Sequence, residues 1–389
     1  MLIRSIVTLL GVALAAALGT AAYVIASATI PAALIPVSFV TGDYGLYLIA
    51  AGVLGLGIGL ILLQRRNHTA LRLLGALIAL VSVLGAVAAF FPQSAAWREA
   101  DRVGADMSVL NYLTEGLNTG GADDSLAVPY ATVDGTPLLL EPMVPTDYVD
   151  RPRPAVVWVH GGGFTSGDRG QSPRWREWLR NRGYAVFSVD YRLAPPPRWD
   201  QAAADVKCAI GWIRQQARQF SIDPDRVMAA GASAGGNLAL LAAYSDDRIT
   251  PSCPVGDTSV SAVTAFYPPT DLAAGWRDSG DPDYTHQVLT DYLGGPPESV
   301  PDRYAAASPL TYVRPGLPPT LLLHGTRDHV VPFDQSRALT EALEGAGVPH
   351  TLQPLPYAEH GYDVAWGVWP TQISRHVFAE FLDQSFPVP

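Results

Sequence analysis

Charge is what the first quarter of this 389-residue chain lacks. From Met1 to Trp97 the only charged side chains are Arg4, Asp43, Arg65, Arg66 and Arg72, which argues against a soluble domain there and for a membrane part. From Arg98 to Pro389 the composition is ordinary for a globular protein, yet this part holds 35 of the 36 acidic residues and only 22 of the 26 basic ones. A nucleic acid partner is thereby disfavoured, because phosphate binding needs a basic footprint; the acidity serves solubility rather than substrate choice. Cysteine is nearly absent, with Cys208 and Cys253 alone. There is no cluster of metal-ligating residues and no nucleotide-binding loop, so no cofactor is implied. The later part contains no internal repeat and no low-complexity tract.

Three apolar stretches, 6–25, 46–63 and 71–91, have the roughly 20 residues that a helix needs to cross about 30 Å of hydrocarbon. Arg65, Arg66 and Arg72 cluster in the second connection and Arg4 lies at the N-terminus, while the first connection carries only Asp43. The positive-inside rule then puts the N-terminus and second connection in the cytoplasm and everything after Phe91 outside. A cleaved signal peptide is the alternative for the first stretch, since the small residues Ala26-Ser27-Ala28 follow the apolar run; the later part emerges on the same side either way. Pro31 and Pro36 predict the end of the first helix and an irregular external segment. Asn67-His68-Thr69 matches a glycosylation acceptor by chance, because it falls in the connection assigned to the cytoplasm. On the outside a disulfide between Cys208 and Cys253 is expected, with two buried free thiols as the alternative.

From Tyr130 onward, short β-rich runs alternate with helical patterns, the signature of a mainly parallel sheet with helices on both faces. The expected strands are two edge strands at 130–133 and 137–143, then 155–159, 185–189, 226–230, 261–266, 320–323 and 351–354. A helix over 201–220 places Val206, Ile210, Ile213 and Ala217 on one face, and 237–244 is a short buried helix. The segment 272–310, rich in Gly, Pro, Asp and aromatics, fits no strand or simple helix and reads as a lid. The chain thus divides into a membrane region at 1–97, a connecting segment at 98–127 and an α/β domain at 128–389, with function at the carboxyl ends of the strands.

Gly231-Ala232-Ser233-Ala234-Gly235 satisfies G-x-S-x-G directly after a strand and before a helix. In that context the serine occupies a tight turn that tolerates only small neighbours and lifts its oxygen clear of the sheet. Taken alone, the motif also describes a small-residue turn that merely packs a helix on a sheet. His160-Gly161-Gly162-Gly163-Phe164 follows another strand, and its glycines let backbone N–H groups turn into a pocket, as the oxyanion of an acyl transfer requires. Gly162, Gly163 and Ala234 are the expected donors. His160 is expected to brace this loop rather than transfer protons.

Together with Asp190-Tyr191-Arg192-Leu193-Ala194-Pro195, these motifs resemble the hormone-sensitive-lipase-like branch of the α/β-hydrolase fold, over roughly 128–389. Around Leu323-His324-Gly325-Thr326-Arg327-Asp328-His329-Val330-Val331-Pro332 the likeness shifts toward feruloyl-esterase and dipeptidyl-peptidase-type hydrolases. The resemblance implies a nucleophile, acid and base in that chain order. It puts the base at His360, in the loop after the last strand, and favours Asp328, just beyond the end of a strand, as the acid; Asp271 and Asp363 are the competitors. What it implies for activity is hydrolysis of a small-molecule or lipid carboxylic ester through an acyl-enzyme. A serine peptidase or an acyltransferase would use the same chemistry, and a catalytically idle binding module is the alternative of another class.

Overall fold

The computed structural model describes residues 2–27, 29–65, 68–117, 126–147 and 151–386. Ala28, Arg66, Asn67, the side chain of Arg4 and positions 118–125 of the connecting segment lie outside the described residues. Two compact units are present: Met1–Leu117 with Leu355–Ile373, and Asn118–Pro354 with Ser374–Pro389.

The first unit contains α1 (Leu2–Ala26), α2 (Ile35–Asp43), α3 (Gly45–Leu63), α4 (Thr69–Val103) and α5 (Val109–Glu115). Of these, α1, α3 and α4 are long and apolar enough to cross a membrane. Small residues let α3 and α4 approach closely: a Cβ on Gly59 would come within 2.7 Å of the Gly75 carbonyl, and one on Gly75 within 2.7 Å of the Gly59 carbonyl. Ile58, Leu62 and Ile78 form a buried apolar cluster here.

One expectation is corrected in this unit. The segment after Pro31 is not irregular, because a 3-10 turn (Ala32–Leu34) leads into α2. Pro36 stands in the first turn of α2, where its missing N–H has no intrahelical partner to lose. The third apolar helix continues beyond Trp97 to Val103, with Pro92 inside it, and ends at Gly104 in the left-handed conformation (φ 74°).

The second unit is built on one sheet of β1 (Val128–Val133), β2 (Thr136–Met143), β3 (Arg153–Val159), β4 (Ala185–Val189), β5 (Ile222–Ala232), β6 (Ala262–Phe266), β7 (Thr320–Gly325) and β8 (His350–Leu355). The strand order is β1-β2-β4-β3-β5-β6-β7-β8. Strand β2 is therefore not an edge strand; it pairs antiparallel with both β1 and β4. The pairs β3–β4, β3–β5, β5–β6 and β6–β7 are parallel. Val156, Val157, Phe187, Val189, Met228 and Val263 are fully buried, as strands covered on both faces demand.

The connecting helices are α6 (Pro173–Asn181), α7 (Ala202–Gln215), α8 (Ala217–Phe220), α9 (Ala234–Tyr244), α10 (Leu272–Asp278), α11 (Pro282–Leu293), α12 (Pro301–Ala306), α13 (Asp334–Gly345) and α14 (Trp369–Ser385). The segment expected as a lid, which fitted no strand or simple helix, is a set of short helices. Asp271 caps α10, Asp281 caps α11, and Pro282 and Pro301 open α11 and α12, so residues that break helices internally begin them here. Cys208 on α7 and Cys253 are joined by a disulfide with a Cα–Cα separation of 5.5 Å.

Candidate active site

Strand β5 runs to Ala232, so Ser233 sits between its last residue and the first turn of α9. Its backbone has φ 55° and ψ −123°, a strained conformation for a residue with a side chain, of the kind that collects at functional sites. The turn is held by the Ser233 N–H, which donates to the Phe266 carbonyl at 2.9 Å, and by the Asn237 N–H donating to the Ser233 carbonyl at 3.0 Å. A Cβ on Gly235 would stand 2.1 Å from the Val159 carbonyl oxygen, and one on Gly231 would stand 2.5 Å from the Gly235 oxygen. Both glycines of the motif are thus set by the close approach of α9 to β3 and β5.

The neighbouring loop after β3 turns through Gly162 (φ 108°), Gly163 (φ 59°) and Phe164 (φ 63°). The Gly162 carbonyl accepts from the N–H groups of Thr165 and Ser166 at 3.1 and 3.0 Å. His160 is buried, stacks on Tyr191 with ring centroids 4.3 Å apart, and places Nδ1 2.7 Å from the Gly161 carbonyl. Burial holds its imidazole below the usual histidine range, partly offset by that hydrogen bond.

The Asp190–Pro195 segment clamps this loop from behind, a role its sequence did not disclose. Tyr191 Oη donates to the His160 carbonyl at 3.1 Å, and Ala194 N–H donates to the Phe164 carbonyl at 3.0 Å. Arg192 grips the buried Asp205 through Nε to Oδ2 at 2.9 Å and Nη2 to Oδ1 at 2.8 Å. Asp190 accepts from the Arg169 backbone and guanidinium.

Gly163, Ser233 and Ala234 line one cleft, together with Leu272 of α10 and Tyr284 and Val288 of α11. The helices of the expected lid therefore form a wall of the cleft that contains the candidate nucleophile.

Asp328 follows β7 and is 6% exposed. Its Oδ1 accepts from the N–H groups of Val330 and Val331 at 2.9 and 2.7 Å, and its Oδ2 lies 3.3 Å from His324 Nε2. Nε2 also lies 2.9 Å from the Val331 carbonyl, which can only accept, so this nitrogen carries the proton. His324 Nδ1 faces Ser336 Oγ at 2.7 Å. In the sequence His324 is only one residue of the motif after the strand, and the neighbouring groups reveal it as a brace for Asp328. Asp271 is occupied otherwise, its Oδ1 accepting from Ala273 and Ala274 N–H groups at 3.0 Å each as the cap of α10.

His360 lies in the turn between β8 and the 3-10 segment Tyr362–Val364, beside Gly361 with φ 76°. It is partly exposed and belongs to the first unit, as does Asp363. Of the other histidines, His286 stacks on Trp276 at 3.9 Å, and His350 lies 2.8 Å from the Val348 carbonyl through Nδ1.

A family model described as BD-FAE matches residues 143–343, just over half of the chain. Esterase LipC of Mycobacterium tuberculosis is 34% identical over 249 residues, 61% of this chain and 60% of its own length. Esterase LipQ of the same organism is 34% identical over 239 residues, 60% of this chain and 55% of its own. The chain thus spans between half and two thirds of these curated relatives. Among solved structures, the apo form of Thermogutta terrifontis esterase 2 has 28% identity and a TM-score of 0.58, covering 70% of this chain and 98% of that one. The same esterase with butyrate bound has 29% identity and a TM-score of 0.55, covering 70% of this chain and 98% of that one.

Proposed function

The chain belongs to the BD-FAE family and has the α/β-hydrolase fold, and from that premise we propose that it is a membrane-anchored serine hydrolase acting on carboxylic esters. The observation that carries this reading is the strained backbone of Ser233 (φ 55°), at a strand-to-helix turn in a cleft shared with Gly163. A side chain held at that cost in a cleft supports a nucleophile.

In the proposed reaction His360 takes the proton of Ser233 as its oxygen attacks the ester carbonyl, and returns it to the departing alkoxide. Asp328 orients the imidazole and stabilises its charged form. The N–H groups of Gly162, Gly163 and Ala234 stabilise the oxyanion, a contribution in which each donor is worth about 100- to 1000-fold in rate. Water, activated by the same histidine, then releases the acid from the acyl-enzyme.

The cleft is lined mainly by apolar side chains, including Phe164, Leu272, Val288 and Leu289, which suits a short apolar acyl group; butyrate occupies the related esterase from Thermogutta terrifontis. The apolar helices α1, α3 and α4 would anchor the chain, with Arg65, Arg66 and Arg72 on the cytoplasmic side and the hydrolase domain outside. The disulfide between Cys208 and Cys253 favours that side. Treatment of the full chain with a fluorophosphonate should label Ser233 and abolish cleavage of a butyrate ester. Labelling that persists in Ser233→Ala, or activity that survives labelling, would refute the assignment.

A further inference from the structure

We infer that the membrane-helix unit is a positioning element for the base, holding the segment that bears His360, and is not only an anchor. The inference rests on the assignment of His360 made above and concerns what fixes that residue.

The segment Leu355–Ile373 groups with the N-terminal helices. The joint centres on Trp369, which is fully buried at the start of α14. Its indole Nε1–H donates to Gln93 Oε1 at 2.6 Å, with Gln93 lying on α4 just after the apolar stretch. The ring stacks on Tyr112 of α5 at 4.3 Å and meets Trp97 of α4 edge-on at 5.4 Å. Tyr112 Oη in turn donates to the Asp43 carbonyl at the end of α2, at 2.7 Å. Gln372 extends the joint, accepting from Ser108 N–H at 2.8 Å while its amide donates to the carbonyls of Ser108 and Gly367.

The other side of His360 is held as well. A Cβ on Gly42 would stand 2.3 Å from the Tyr357 carbonyl oxygen, so α2 meets the turn before His360 backbone to backbone. Asp43 is buried, and burial together with the neighbouring Glu359 and Asp363 raises its carboxyl well above the usual range. Glu359 directly precedes His360 and is itself fully buried. Partners from α2, α4 and α5 thus grip the chain on both sides of the imidazole, at Tyr357–Glu359 and at Gly367–Gln372. A base must stand within hydrogen-bond reach of the proton it abstracts, and a displacement of about 1 Å can cost on the order of 100-fold in rate. Those helices therefore bear on turnover without touching substrate.

The test is a double-mutant cycle in the full chain, assayed on a chromogenic butyrate ester. Gln93→Leu removes the acceptor of the Trp369 indole; kcat should fall by about 10- to 100-fold with KM nearly unchanged. Tyr112→Phe, a milder change that deletes one hydroxyl, should lower kcat severalfold in the same way. In a His360→Ala background neither substitution should lower the residual rate further, because residues acting through one group are not additive. Equal losses in both backgrounds, or no loss from either variant in the parent, overturn the positioning role. Near-normal turnover of His360→Ala instead overturns the base assignment on which it rests, and that result is read from the single variant alone.

Discussion

The carboxylate of Asp328 lies 3.3 Å from Nε2 of His324, and both side chains are fully shielded from solvent. The contact joins the end of β7 to the loop just beyond it, and the N–H groups of Val330 and Val331 complete the hold on the carboxylate. A carboxylate so fixed can orient another group without rearranging.

Asp328→Asn should leave the fold intact and lower turnover by about 10⁴-fold, the loss that this exchange causes in a serine-protease triad. Asp271→Asn should leave turnover near normal, because Asp271 caps α10 and asparagine caps a helix about as well. Steady-state kinetics of the two variants check both statements; the reverse pattern would move the acid to Asp271.

Gly235→Ala should be far more damaging than Gly163→Ala. The new Cβ at Gly235 meets the backbone oxygens of Val159 and His160 at 2.1 and 2.4 Å, which can be relieved only by shifting α9 from the sheet. At Gly163 the obstacles are the side chains of Tyr284 and Val288, at 2.8 and 3.1 Å, and the added cost is about 1–2 kcal/mol for alanine in a left-handed conformation. Thermal unfolding should rank the two, and Gly163→Ala should show reduced kcat while still folded.

Burial lowers the pKa of His160, so over the interval between its folded value and about 6.5 the unfolded chain binds more protons. Stability from this residue is fully present above about pH 6.5 and is lost as pH falls through the folded value. His160→Gln should therefore show a weaker decline of Tm with acidification below about pH 6.5 than the parent, whatever its absolute Tm. Parallel Tm curves would show that His160 is not a source of the acid sensitivity.

The disulfide closes a loop with a sequence separation of 45 between Cys208 and Cys253. In the chain-entropy model that closure contributes on the order of 4 kcal/mol. Cys208→Ser with Cys253→Ser should lower the midpoint of denaturant unfolding accordingly, while activity of the folded fraction persists. An unchanged midpoint would mean that the loop is already restricted in the unfolded chain.

Local pattern alone determined a good deal of this protein. Alternating apolar runs and glycine-bounded turns marked every strand of the sheet, because side-chain periodicity and turn chemistry act over a few residues. The same holds for the elbow at Ser233 and the loop after Val159, whose glycines answer to steric limits expressed within the motif. Proline was the local signal that misled at 31–43 and 272–310: whether Pro36, Pro282 and Pro301 end a helix or begin one depends on where the first turn falls. Tertiary structure alone decided that β2 lies inside the sheet, that α10 and α11 wall the cleft, that His324 braces Asp328, and that Gln93 and Tyr112 grip Trp369. Those relationships join residues far apart in the chain or hidden by ordinary composition. A buried hydrogen bond or stacked ring depends on which surfaces meet once the core has closed, and one sequence carries no periodicity that announces the meeting.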